Sequence, residues 1–222
     1  MIRIPTFLLA FVIFATAPLA LALAKDSEVL VFKAAASVER MRSDGNFKIN
    51  IEPTLKRAKA VLIVPELLKG GFFVGAEYGN GVLLLRDAMG RFGPPAFYTV
   101  GGGSFGLQIG LQTSEMMFFI MTDKGLKAAM EDRFRAGAGV GLAVGLLGAG
   151  GSASTTTAMG ADIYAFSQAI GIFGGIALDG MTIQPRYSLN AEYYGGNPSP
   201  EQIIQGGVNN SHADPLRRSL DR

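Results

Sequence analysis

The spacing of apolar residues is helical near the start of the chain, two-residue through its middle and helical again towards its end. Leu30, Ala34, Val38 and Met41 line one side of a helix that Asp26 or Ser27 would cap and Gly45 would end near Arg42. Lys33, Arg40 and Arg42 stay on its wet side, and Val29 to Phe32 is an apolar run wider than a single stripe needs. Pro53 to Ala60 predicts a short second helix carrying Lys56, Arg57 and Lys59. Beyond Val61 the period shortens. Phe72 to Tyr78 and Val82 to Arg86 flank Gly79-Asn80-Gly81, and Asn-Gly between apolar runs predicts a hairpin turn. Ser104 to Gln112 alternates as one strand, and the unbroken run Met116 to Met121 predicts a strand covered on both faces. Asp123 would cap a helix to about Asp132, with Leu126, Ala129 and Met130 turned inward.

Ala136 to Gly151 fits two templates. Gly137, Gly141 and Gly145 match the small-xxx-small packing of a membrane helix. A strand, however, collects Gly139 with them on one face opposite Ala138, Val140, Leu142, Val144 and Leu146, and the stretch is shorter than the roughly 20 residues a spanning helix needs. The strand reading is preferred. Ala169 to Asp179 repeats this pattern, and Gly180 turns the chain into Met181 to Gln184. Tyr187 to Tyr194 predicts a helix stopped by Gly195-Gly196; Ser199-Pro200-Glu201 opens another, and from Gly206 a polar, frayed tail is expected. The expected fold is α+β: a strongly coiled antiparallel sheet or small β-barrel-like core with glycine-rich strands, packed by N-terminal and C-terminal helices. The bare glycine faces would admit close backbone packing, or would line a slot for an acyl chain.

Residues 1–24 change the picture of where this domain works. Arg3 precedes an apolar core, Pro18 breaks it and Ala22-Leu23-Ala24 ends it, which predicts a signal peptide cleaved before Lys25; an uncleaved anchor is the alternative. The expected organisation is a leader at 1–24, one domain at 25–205 and the tail at 206–222. An exported, periplasmic or envelope-associated protein follows, possible also in secreted form.

Composition removes most chemistry. The 222 residues include 30 glycines, no cysteine and one histidine, His212. Thiol nucleophiles, disulfides, cysteine-ligated metals and multi-histidine metal sites are therefore excluded, and no cofactor is expected. Lysine and arginine total 20 against 18 acidic residues, a net +2 that offers nucleic acid no general attraction. Gly102 to Gly106 matches G-x-S-x-G around Ser104, but that elbow needs a strand-turn-helix context, whereas Ser104 opens an alternating strand. Gly101 to Gly106 also matches G-x-G-x-x-G, with no helix after it to hold a pyrophosphate. Glu66, Glu77, Glu115, Asp162 and Asp179 are scattered, and nothing in the sequence pairs them. No catalytic residue is assigned.

The residues from Lys59 onward resemble the SYLF-domain family of lipid-binding proteins. The landmarks are Ala58 to Pro65 (AKAVLIVP), Lys69 to Gly75 (KGGFFVG), Gly101 to Gly110 (GGGSFGLQIG), Asp162 to Ser167 (DIYAFS), Gly175 to Gly180 (GIALDG) and Asn190 to Gly195 (NAEYYG). The resemblance implies a non-catalytic domain that binds membrane phospholipid, phosphoinositides in eukaryotic members. Some fungal relatives bind actin, which is not expected for an exported bacterial protein. Many relatives carry basic residues where this chain reads Ser167-Gln168-Ala169-Ile170-Gly171, so a polyanionic headgroup site is not implied there. Candidate headgroup contacts are Lys56, Arg57, Lys59 and Lys69; candidate apolar membrane or acyl contacts are Val29, Leu30, Phe32, Phe72 and Phe73. A structural or protein-interaction module of the envelope, with an envelope protein as partner, is the alternative.

Overall fold

Ala60 to Val64 is apolar at every position, which suits a strand buried on both faces at the centre of a sheet. The computed structural model describes residues 24–45, 47–71, 74–105, 110–131, 134–135, 144–147, 160–170, 181–208 and 210–221. In it β1 (Ala60–Gly71) pairs antiparallel with β2 (Val74–Leu85) on one side and β4 (Gly110–Ile120) on the other. Outside them lie β3 (Ala96–Phe105), β7 (Ile163–Ile170) and β8 (Thr182–Pro185), with short edge strands β5 (Phe134–Arg135) and β6 (Val144–Leu147). The order is β5-β8-β3-β2-β1-β4-β7-β6, antiparallel except for the β6–β7 pair.

Alternate residues of the central strands enter two cores. On one face Val61, Ile63, Val82, Met117 and Phe119 pack under α1 (Asp26–Ser43), α4 (Tyr187–Tyr194) and α6 (Asp214–Asp221). Leu62, Val64, Leu67, Tyr98, Met116 and Phe118 face α3 (Asp123–Met130) and α5 (Pro200–Ile204) on the other. A π-helical turn at Phe47–Ile51 and α2 (Glu52–Arg57) lead from α1 into β1. The Met116 to Met121 expectation holds for β4, whose residues Met116 to Ile120 are all buried. The barrel expectation does not. Helices cover both faces, so the sheet stays open, with β5 and β6 as separate edges.

One turn expectation and one strand expectation fail. Gly79-Asn80-Gly81 lies inside β2, because β1 carries an extra residue opposite it: Ile63 pairs with Val82, but Glu66 pairs with Asn80. Pro65, which has no N–H to give a ladder, occupies this bulge. The bulge presses so close that a Cβ on Gly79 would lie 2.5 Å from the Glu66 carbonyl oxygen, and one on Gly81 2.7 Å from that of Ile63. These glycines admit a neighbouring backbone and do not reverse the chain. Likewise, Ser104 to Gln112 is not one strand: it joins the end of β3 to the start of β4, two strands separated in the sheet by β2 and β1.

The terminal elements are close to expectation. The helix over Tyr187 to Tyr194 is present, ended by Gly195 and Gly196 at φ +73° and +78°. Ser199 caps α5 in a full capping box, and Thr122, not Asp123, caps α3 by accepting from Gly125 N. The frayed tail is corrected. Ser211–Ala213 forms a 3-10 turn and α6 follows, with Leu216 and Leu220 buried in the first core. Of the glycine-faced stretches, 136–143, 148–151 and 171–179 lie outside the described residues, as do residues 1–23 of the expected leader.

Gly79→Ala and Gly81→Ala are each expected to destabilise the protein by about 1–3 kcal/mol in urea unfolding, through overpacking against backbone. Gly103→Ala, whose Cβ would meet nothing nearer than 4.0 Å, should stay within about 0.5 kcal/mol of wild type. Leu216→Ala should cost about 2–5 kcal/mol; a negligible change would contradict the packing of α6 into the core.

Candidate functional site

α1 crosses the sheet with Leu30, Val31, Ala34, Ala35, Val38 and Met41 buried beside Ser27 and Ser37, and Val29 and Phe32 face outward. Acidic residues in its first turn and Arg40 and Arg42 in its last oppose the helix dipole. Its N-terminus is capped from a distance: Ser27 N donates to Glu192 Oε2 of α4 at 2.9 Å. Hydrogen bonds from Ser27 hold the Glu192 carboxyl below its usual 4.5. At the other end Arg42 donates to Glu52 Oε1 and to the Ser219 carbonyl, both at 2.6 Å. The Glu52 carboxyl is likewise lowered, chiefly by the hydrogen bond from Arg42. The helix is therefore held at both ends by parts of the chain remote in sequence.

Beyond the bulge, β1 and β2 leave a groove of about 280 Å³ against the N-terminal half of α1. Val29, Leu30 and Lys33 of α1 form one wall; Pro65, Glu66 and Leu68 of β1 form another. Tyr78, Gly79 and Asn80 of β2, with Arg186 and Leu189, complete it, and Asp26 lies at the first turn of α1. Lys33 Nζ meets Glu66 Oε2 at 2.7 Å across the groove. Arg186 Nη1 donates to Tyr78 OH at 2.5 Å and to Asn80 Oδ1 at 3.1 Å. Thr99 Oγ1 donates to the same Asn80 oxygen at 3.2 Å.

The expected contact residues do not converge. Phe32 is 72% exposed, and Val29 and Leu68 stand out with it. Leu30 is 9% exposed and belongs to the core as much as to the groove. Phe72 and Phe73 lie outside the described residues. Lys56, Arg57 and Lys59 are exposed at the opposite end of β1 from Leu68, roughly 30 Å away at ~3.3 Å per residue. Lys56 lies 3.7 Å from Glu52, Arg57 Nε donates to the Pro53 carbonyl and Lys59 pairs with Asp123 at 2.6 Å. Lys69 is corrected as a headgroup contact: it is 7% exposed and lies 2.8 Å from the buried Glu77 carboxylate. Two cations do stand among the apolar residues, Lys33 and Arg186. Arg186 gave no signal in the sequence, because it joins the groove from more than a hundred residues away and its partner Asn80 reads as a turn residue.

No nucleophile and base are brought together among the described residues. Ser104 belongs to a strand and not to a strand-helix elbow, and His212 Nδ1 lies 3.0 Å from Glu28 Oε1 on α1. Burial pushes the phenols of Tyr98, Tyr193 and Tyr194 well above their usual 10.0. No group of three acidic or histidine side chains that could hold a metal occurs among the described residues. None of their helices is long and apolar enough to cross a membrane.

The chain is thus an α+β protein with an open sheet, helices on both faces and a groove beside α1. A family model described as "Ysc84: Las17-binding protein actin regulator" matches residues 101–222. The chain belongs to this family, the SYLF-domain family that its motifs resemble. LAS seventeen-binding protein 3 of Saccharomyces cerevisiae is 30% identical over 171 residues, 75% of this chain and 37% of the relative. SH3 domain-containing YSC84-like protein 1 of Bos taurus is 26% identical over 180 residues, 80% of this chain and 52% of the relative. The SH3 domain-containing protein PJ696.02 of Schizosaccharomyces pombe is 27% identical over 179 residues, covering 77% and 41%. The chain thus spans between about a third and a half of the length of these relatives. The expectation that actin is no partner is overturned, because the family is described as actin-regulating and the yeast relative as Las17-binding.

A carboxyl with a lowered value stabilises the fold above its unfolded value, and that contribution is lost as pH falls through the folded one. Glu192→Gln is expected to lower the melting temperature near neutral pH, while shrinking the loss that wild type suffers between about pH 7 and about pH 3. An unchanged pH dependence would remove Glu192 as a cap of α1.

Proposed function

We propose that this chain is a non-catalytic domain that binds a phospholipid membrane surface with the N-terminal half of α1 and the groove beside it. The observation that carries the reading is Phe32, an aromatic held largely in solvent on a helix whose other face is locked into the core. Val29 and Leu68 extend the apolar surface, and burying one such side chain is worth about 1.5–3 kcal/mol. Lys33 beside them and Lys25 at the helix start suit the interface between acyl chains and headgroups. If the leader at 1–24 acts as its pattern predicts, the surface is one of the cell envelope or periplasm. The family match favours a second reading, a protein partner of the actin-regulating kind, carried by residues 101–222.

Co-sedimentation with vesicles of neutral phosphatidylcholine, with and without anionic phosphatidylglycerol, tests the first reading. Wild type is expected in the pellet at low salt, and Phe32→Ser should reduce the bound fraction about tenfold, as loss of one buried aromatic implies. No sedimentation with either vesicle overturns it, and co-sedimentation with filamentous actin alone would favour the second reading.

A further inference from the structure

Among the described residues, one cation of the groove forms no ion pair. Arg186 sits between β8 and α4, its backbone N–H donating to the Phe97 carbonyl at 2.8 Å. Its Nη1 is engaged by Tyr78 OH and Asn80 Oδ1, both neutral. Nε is buried without a hydrogen-bond partner, and Arg186 forms no ion pair among the described residues. The arginines of α1 differ: Arg40 reaches Glu115 and Arg42 reaches Glu52. Neutral acceptors orient the guanidinium without discharging it, and its fork suits the paired oxygens of a phosphate or carboxylate. The other charges of the groove are Lys33 and Glu66, which satisfy each other, and Asp26, exposed at the first turn of α1.

We propose that Arg186, positioned by Tyr78 and Asn80, binds the phosphate group of an anionic amphiphile whose apolar body lies against Val29, Leu68 and Leu189. The inference rests on the membrane reading above and adds the point at which the headgroup is recognised. Charge complementarity fixes the class of ligand: the apolar walls alone would accept any hydrophobe, whereas an unmatched guanidinium selects an anion. Asp26 opposes that anion, so its removal should strengthen binding.

The test is calorimetric titration of the full chain with water-soluble dihexanoyl phosphatidic acid, beside inorganic phosphate. Phosphatidic acid is expected to bind wild type, with Arg186→Gln weaker by about tenfold or more and Asp26→Asn tighter by about twofold. Inorganic phosphate, which lacks the apolar body, should bind more than about tenfold more weakly. Equal binding by wild type and Arg186→Gln overturns the proposal, and so does inorganic phosphate binding as tightly as the lipid. Should Arg186→Gln fail to fold, the Arg186 Nε–H resonance of wild type is followed during the titration; it must shift, and an unmoved signal overturns the proposal. The two readings fail separately. Vesicle sedimentation by wild type with an Arg186→Gln titration like wild type overturns only this inference. Absence of sedimentation with Arg186-dependent phosphatidic acid binding overturns only the membrane reading.

Discussion

The close approach of the bulged β1 to a side-chain-free stretch of β2 is the constraint on which the rest of this structure depends. Before the bulge, Ala60, Leu62 and Val64 point into the second core; after it, Leu67 does. In an unbroken strand the even-numbered positions would have continued on that face, burying Glu66 and turning Leu67 towards α1. The extra residue instead sends Glu66 to Lys33 of α1 and leaves Leu68 at the groove. Only glycine at 79 and 81 leaves room for this, so the groove exists because β2 gives up two side chains.

The same switch buries Lys69 directly opposite Glu77 in the β1–β2 register. Taking two charges out of water consumes most of what their attraction returns, so the pair adds little net stability. Its effect is on register. A slip of one residue would set Lys69 opposite Tyr78 or Ala76, leaving both charges buried and unmatched, a far more costly state. The pair therefore excludes alternatives to the register that builds the groove.

Local pattern was sufficient wherever one segment carries its own signal. The stripe of α1, the two-sided run of β4, the glycine stop after Tyr194 and the Ser199 cap are all legible because each depends on neighbours within a few residues. The failures share the opposite property. Asn80 reads as a turn until Pro65 of another strand is placed against it, and Lys69 reads as solvated until Glu77 lies across from it. The last helix is short, and its apolar contacts rest on Leu216 and Leu220, so its order comes from docking on α1 and not from propensity. Phe32 and Val29 were legible as an excess over what one helical stripe requires. Arg186 was not, since no spacing rule links it to Tyr78 and Asn80.

The groove also joins two parts of the chain that are otherwise distinguishable. Most of its apolar wall and its acceptors come from α1, β1 and β2, all before residue 101, whereas Arg186 and the apolar Leu189 come from the stretch matched by the family model. α4 connects them physically, since Glu192 caps the helix that presents Phe32 while Arg186 begins the same segment. A helix anchored in this way does not have to fold on arrival at a surface. The ordering entropy that weakens binding by flexible amphipathic segments has already been spent in folding the domain. Rigid presentation thus favours a shallow, reversible contact made by few side chains. In the membrane reading proposed above, that is the contact expected where Arg186 and Tyr78 of the groove lie beside a helix that exposes Val29 and Phe32.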